Sequence, residues 1–525
     1  MSILLRVTLV TCLSLVVNQN EAAKILGIFP FPSISHQVAF RPLMHELAKR
    51  GHEVTVITTD PAFPKGKTPG NLTEIDVGEV SYRMWREEFV VAQPKGTKSN
   101  LQNDFTIIYS LLNKIFDVQI KDAQVQKLLN DTNQKFDLIF NEAWVRPTLV
   151  FTHVYKAPAI MISSFGVFSD NYEVMGVSMH PFLYHRSISR RLYNLTLWEK
   201  VVELYDYLSI EWIHRNNYDI IRLTSRLPKP NPTVVSYQRS IGKCVSPSRF
   251  IEFPTCTTHS LPVVQLARSG THYRLITFIT WLQDLQSYLD SSKNGVIYVS
   301  FGTNVDPTLF PQEKIALFVR VFSKLPYDVL WKWNNDELPG RTENIKISKW
   351  LPQPDLLRHP KIKLFITQGG LQSTDESIVA GVPMIGVPMF GDQWYDVEKY
   401  EKLNIGLKLD LETLDDLSTH KLCYFISSFR QNIQRIGKIM QDQPMTPLER
   451  TVWWTEHVLR HGGARHLRAP AANMSWAQYL ELELVFTLLL AFITIVAILI
   501  YFIKFVLTKS NKIYFRGQVL IFVLH

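Results

Sequence analysis

The chain has 525 residues, a formal net charge of +9 and 46% hydrophobic residues. That is long enough for two or more domains with substantial cores. The positive charge is diffuse, with no basic helix and no RNA-type aromatic motif, so composition does not point to nucleic acid; it suits a solvated surface or an anionic small partner.

Residues 1–23 read as a secretory signal, with Arg6 as the charged start, Val7 to Val17 as the apolar core and Ala22-Ala23 as the cleavage neighbourhood. The apolar run is too short for a spanning helix. Ile25 to Phe29 reads as a buried strand, followed by a loop over Pro30 to Ser35. A helix with Phe40, Leu43, Leu47 and Ala48 on one face comes next, with Gly51 at its stop. Glu53 to Thr58 is the next strand. Asp104 to Leu129 reads as helix, Phe136 to Phe140 as strand and Leu197 to Asn216 as helix. The alternation resumes with strands at Val296 to Phe301 and Tyr327 to Lys332, flanking a helix over Pro311 to Leu325. Strands alternating with helices in both halves predict two doubly wound α/β domains. Between them, Pro228 to Leu282 has poor periodicity. It is either a genuine divergent loop or a gene-model artefact that fails to supply the last strand and helix of the first domain.

Val485 to Ile503 is an uninterrupted uncharged run, about the 20 residues a bilayer requires. Lys504, Lys509, Lys512 and Arg516 follow it, while Glu481 and Glu483 precede it. That bias predicts a single-pass span with the 504–525 tail in the cytosol and the large N-terminal part in the lumen. Of the four cysteines, Cys12 leaves with the signal, and Cys244, Cys256 and Cys423 imply no disulfide framework. No Cys/His cluster has zinc spacing, so no metal is expected. Asn71, Asn130, Asn194 and Asn473 open glycosylation sequons.

Trp350 to Lys399 is the most informative stretch. A short apolar run, Lys363 to Thr367, ends in Gly369-Gly370 and leads into a helical segment to Ala380. Glycines let backbone N–H groups approach a phosphate, and a helix N-terminus favours its charge. A second strand, Met384 to Val387, leads into the polar loop Phe390-Gly391-Asp392-Gln393.

This block resembles the signature of the UDP-glycosyltransferases, the membrane-bound family that includes the glucuronosyltransferases. The matching residues are Trp350, Pro352, Gln353, Thr367, Gly369, Gly370, Glu376, Pro388, Phe390, Gly391, Asp392 and Gln393. Gln368 stands where the family pattern has His, as in invertebrate members. The similarity extends over Gly295 to Thr303, Trp453 to Leu467 and the N-terminal third.

The resemblance implies a GT-B fold: an acceptor-binding Rossmann-like domain over 24–282, a UDP-sugar-binding domain over 283–470, a transmembrane helix over 484–503, and the active site in the interdomain cleft. It makes His36 the general base; from position alone His36 reads equally as a capping or surface histidine. Glu142 falls where the family has an Asp partner to that base; Asp137, at the strand start, is the other candidate. Gly302, Thr303, Gln368, Gly369 and Gly370 would hold the diphosphate, with Gln372 and Ser373 adding polar contacts. Trp350 would stack on uracil, Gln353 would reach uridine, Glu376 would accept from the ribose hydroxyls, and Asp392 and Gln393 would hold the donor sugar.

The resemblance thus implies an inverting transferase without a cofactor. It would move a hexose from a UDP-sugar to a hydroxyl of a small lipophilic acceptor, in detoxification-type conjugation at the endoplasmic reticulum membrane. UDP-glucose is the expected donor and UDP-glucuronate the alternative. A non-catalytic UDP-sugar binder is the rival reading, and a homo-oligomer is left open. The acceptor pocket is expected around Phe89 to Phe105 and Phe165 to Tyr184.

Overall fold

The computed structural model describes residues 22–91, 100–164, 166, 182, 185–216, 250–252, 284–412, 426–463 and 475–523. Residues 1–21 of the signal segment, the three retained cysteines, residues 92–99, 165, 167–181 and 183–184 of the expected acceptor pocket and most of Pro228 to Leu282 lie outside the described residues.

The first sheet holds β1 (Lys24–Phe29), β2 (Glu53–Thr58), β3 (Leu72–Asp76), β4 (Leu138–Glu142), β5 (Ala159–Ile162) and β6 (Phe250–Glu252), in the order β3-β2-β1-β4-β5-β6. Every pairing is parallel. The helices that connect or flank it are α1 (Ile34–Lys49), α2 (Gly78–Trp85), α3 (Leu101–Gln119), α4 (Ala123–Asn130), α5 (Leu149–Tyr155) and α6 (Leu197–Asn216). The helix expected over Asp104 to Leu129 is two helices. Asp122 breaks it by capping the second one, its side chain accepting from the backbone N–H groups of Gln124 and Val125. From the anomalous segment, Phe250–Glu252 joins the sheet edge beside β5, contrary to the expectation that it supplies no strand.

The second sheet holds β7 (Val296–Ser300), β8 (Asp328–Lys332), β9 (Ile345–Ser348), β10 (Ile362–Thr367), β11 (Met384–Gly386) and β12 (Gly406–Lys408), in the order β12-β11-β10-β7-β8-β9, again all parallel. Helices α7 (Gln312–Ser323), α8 (Gln353–Leu357), α9 (Leu371–Ala380), α10 (Gln393–Lys402) and α11 (Ile426–Gln441) accompany it. Apolar clusters cover both faces of each sheet, as strands rich in Val, Ile and Leu on both faces require. Helix α12 (Pro447–His461) follows the second sheet in sequence but buries Val452 and Val458 in the core of the first, against α1. A capping box between Thr446 and Glu449 starts it.

The chain divides into two compact units, residues 1–467 and 468–525. The second holds α13 (Trp476–Tyr479) and α14 (Leu482–Val523). Within α14, Leu482–Lys509 has a mean hydropathy of 2.9 and is long and apolar enough to cross a membrane.

Candidate active site

Parallel strands that start together also end together, so β1 and β4 open the same edge of the first sheet; Ile28 stands beside Asn141 there. One residue on, β4 ends at Glu142, while β1 runs through a short loop into α1, whose first turn carries His36. Nδ1 of His36 lies 2.5 Å from Oε1 of Glu142, and both residues are buried. The backbone N–H of Phe31 donates to the other carboxylate oxygen at 3.3 Å. The Phe31 ring stacks on the imidazole, with centroids 4.1 Å apart. The carboxylate thus holds Nδ1 and fixes the orientation of the ring. Asp137 sits at the far end of β4, accepting from the Lys24 backbone N–H at 2.8 Å.

Facing this edge, β7, β10 and β11 end in the loops that carry the signature. A cleft of ≈ 1310 Å³ between the two sets of loops is lined by His36, Gly302, Thr303, Trp350, Gln353, Gln368, Gly370, Gln372, Ser373, Glu376, Asp392 and Gln393. Gln353 organises one end: its Nε2 donates to Glu376 at 2.8 Å and to Ser373 at 3.0 Å, and its Oε1 accepts from Tyr298 at 3.0 Å. Burial pushes the Glu376 carboxyl up to about 7. Trp350 stands half exposed on the wall, a large apolar face open to the cleft. Gly302 has φ +76, and a Cβ there would lie 2.2 Å from Nε2 of Gln368. Only glycine lets the Gln368 side chain lie across that turn.

Four of the expected residues already hold contacts within the protein. Gly369 (φ +89) is absent from the cleft lining; its N–H donates to Thr367 Oγ1 at 3.2 Å, and a Cβ would meet Val397 at 2.1 Å. It is there for close packing of α10 on the turn, which leaves Gly370 and the α9 N-terminus as the part of that turn open to the cleft. Gln372 Nε2 donates to the Ser35 carbonyl, bridging the cleft. Gln393 Oε1 accepts from the backbone N–H groups of Met389 and Phe390 at 2.9 and 3.2 Å, shaping its own loop. Asp392 accepts from the Leu371 N–H, and burial beside the Asp396 carboxyl pushes it above the usual carboxylate range. Lys399 lies 3.7 Å from Asp396.

The structure adds residues that sequence reading missed. Lys332, at the end of β8, donates to the Gly302 carbonyl at 2.6 Å and sits 5.3 Å from the centre of the Trp350 ring. Burial pushes its ammonium below the usual lysine range. A lone cation ending an apolar strand was the available signal. Asn304 donates to Ser33 Oγ at 2.9 Å, a second bridge across the cleft. On the His36 side, Trp85 and Trp144 join Phe89 and Phe105, the two ends of an expected acceptor stretch, in an aromatic wall. Phe89 meets Phe390 of the opposite loop edge-on at 5.7 Å.

Two doubly wound parallel sheets with a cleft at their facing carboxyl ends, and one histidine–carboxylate pair within it, define a glycosyltransferase of the GT-B class. The fold matches the crystal structure of a UDP-glucose:anthocyanidin 3-O-glucosyltransferase in complex with UDP, with TM-score 0.51 and 18% identity over 83% of this chain and 99% of that one. The profile of the family described as UDP-glucoronosyl and UDP-glucosyl transferase matches residues 23–516, and the chain belongs to that family. It is 32% identical to an ecdysteroid UDP-glucosyltransferase of Spodoptera littoralis nuclear polyhedrosis virus, over 92% of this chain and 97% of the relative. It is 31% identical to a UDP-glycosyltransferase of Dactylopius coccus, over 95% and 94% respectively.

Proposed function

We propose that this enzyme transfers glucose from UDP-glucose to a hydroxyl of a small, flat, lipophilic acceptor, with inversion at the anomeric carbon. The observation that carries the reading is the His36–Glu142 pair, set between an aromatic wall and the polar signature loops. Nε2 of His36 takes the acceptor proton as the acceptor oxygen attacks C1. The C1–O bond to UDP breaks and its electron pair passes to the β-phosphate. Gly370, the α9 N-terminus, the Gly302-Thr303 turn and Gln368 stabilise that charge. Trp350 stacks on uracil, Glu376 and Gln353 hold the ribose, and Asp392 with Gln393 selects the sugar. Glu142 keeps His36 in the reactive tautomer and balances the imidazolium.

Relatives named as UDP-glucosyltransferases, several of them named for ecdysteroids, support glucose and a polycyclic alcohol as substrate types. UDP-glucuronate remains the second donor reading. We place the catalytic part in the lumen of the endoplasmic reticulum, anchored by Leu482–Lys509, in a role of conjugating apolar compounds. The test is transfer by the full chain in microsomes, with each donor offered to a panel of phenols and polycyclic alcohols and product stereochemistry read by NMR. A β-glucoside from UDP-glucose is expected. UDP binding without transfer from either donor would make the chain a non-catalytic relative.

A further inference from the structure

Residues 185–193 hold no helix or strand, yet Arg186, Ser187, Ile188 and Ser189 are buried. Most loops run over the surface, because buried backbone and polar groups must find partners. This loop finds them on α6. The Arg186 guanidinium pairs with Glu211 at 3.4 Å, donates to the Asp206 carbonyl at 3.4 Å and lies over the Tyr207 ring at 4.2 Å. Ser189 hydrogen-bonds Glu203. One side of the loop belongs to the acceptor half of the cleft. Ile188 packs in the apolar cluster of Trp85, Phe89, Phe105 and Trp144, and it lines the cleft itself. Ser187 lies against Gly166, where an added Cβ would stand 2.6 Å from its own, and the Gly166 carbonyl accepts from the Trp144 indole N–H at 2.8 Å. The other side reaches the donor half. The Arg190 guanidinium lies over the Trp394 ring at 5.7 Å, and Lys402 lies over the Tyr193 ring at 5.3 Å. Trp394 and Lys402 are both on α10, the helix that Asp392 caps and Gln393 begins.

We propose that Arg190 is a positioning residue for the donor sugar. Acting through Trp394, it sets the start of α10, and with it the side chains of Asp392 and Gln393. The role rests on the reading above that these two side chains hold the sugar. Three features single out this arginine. First, it is oriented from the first domain: the carboxylates of Asp104 on α3 and of Glu203 and Asp206 on α6 face it. Second, a planar, weakly hydrated guanidinium is the cation best suited to lie on an indole, and Trp394 is only 3% exposed, so little water competes for the contact. Third, the other cation on that ring cannot carry a signal across the cleft. Lys408 lies 5.4 Å from the Trp394 ring, but it is held at 2.6 Å by Glu398, and both belong to the second domain. Arg190 therefore joins the wall that faces the acceptor to the helix whose first residues face the sugar.

UDP carries no sugar, so comparing it with UDP-glucose separates a sugar-positioning role from a general one. The test is calorimetry on the detergent-solubilised full chain, with each ligand in turn and no acceptor. Arg190→Met keeps an unbranched apolar stem and removes the guanidinium. UDP-glucose should bind it about five- to thirtyfold more weakly than the parent, the range of a desolvated cation–π contact, while UDP keeps parental affinity. Arg190→Lys returns a cation without the planar stack and should recover part of the loss. If Arg190→Met binds neither ligand, Arg190→Lys decides, and it should weaken UDP-glucose alone. Equal weakening of UDP and UDP-glucose in a variant that still binds would overturn the proposal, because the arginine would then only hold the domains together. Parental UDP-glucose affinity in Arg190→Met would overturn it too. Asp392→Asn, measured alongside, tests the reading underneath. Weaker UDP-glucose binding in Asp392→Asn with parental binding in Arg190→Met removes the arginine alone. Parental UDP-glucose binding in Asp392→Asn removes the sugar assignment and the proposal with it.

Discussion

His36 and Glu142 lie 106 residues apart in sequence, and their side chains meet at 2.5 Å with the carboxylate fully buried. Burying a carboxylate is tolerated only when its oxygens are satisfied. Here the imidazole takes one and the Phe31 N–H takes the other. The pair is thus a fixed unit presented to the cleft.

Replacing His36 with Ala should lower kcat by about 100-fold or more, the usual scale for losing a general base, with UDP affinity close to the parent. Glu142→Gln keeps the shape and removes the charge that selects the tautomer, so it should also lower kcat while leaving donor binding intact. Steady-state kinetics with calorimetric UDP binding check both. A His36→Ala protein with parental kcat would remove the base from the mechanism.

Donor affinity should depend on pH through Glu376. Burial holds this acid up to about 7, against roughly 4.3 in an unfolded chain. The proton it retains stabilises the empty protein at low pH, and that contribution is lost as pH rises through the folded value. Ribose hydroxyls need the ionised acceptor, so UDP-glucose should bind more tightly as pH climbs from about 5 to about 7, by at most one decade per pH unit, and level off above. Glu376→Gln should remove this part of the slope, leaving whatever Asp392 and Asp396 contribute. Calorimetry across pH reads it; an unchanged slope in the variant would contradict the ribose assignment.

Gly369→Ala should destabilise the enzyme by at least about 2 kcal/mol, since L residues at positive φ are strained and the new methyl has no room. The methyl would sit 2.1 Å from Val397. A second change, Val397→Ala, should not restore stability, because it relieves the clash but not the φ and opens a gap of its own. Thermal melts check the cost. UDP affinity per folded molecule should stay near parental, because the Gly369 N–H is already bonded to Thr367.

Lys332→Met should weaken UDP-glucose binding by about 1.5–3 kcal/mol, the range for a hydrogen bond to a charged group. The ammonium is a cation held in the donor half of the cleft through the Gly302 carbonyl at 2.6 Å. Parental affinity in the variant would mean that the lysine only props the Gly302 turn.

The signature block carried its own meaning along the chain. Strand, glycine turn and helix are local, so the order Trp350, Gln353, Gln368, Gly370, Glu376, Asp392 could be matched to the family signature before any fold was known, and the fold brings these residues to one cleft. Apolar runs likewise located β1, β2, β4, β7, β8, β10 and β11, since such runs need no partner to be recognised. Short edge strands such as β3, β9 and β12 were missed, because a few residues have too little periodicity and owe their form to pairing. Which contacts the polar residues make was not legible, since hydrogen bonds go to whatever the fold brings near. Gly369 turned away to Val397, Gln372 reached across to Ser35, and Lys332 entered the cleft from a neighbouring strand.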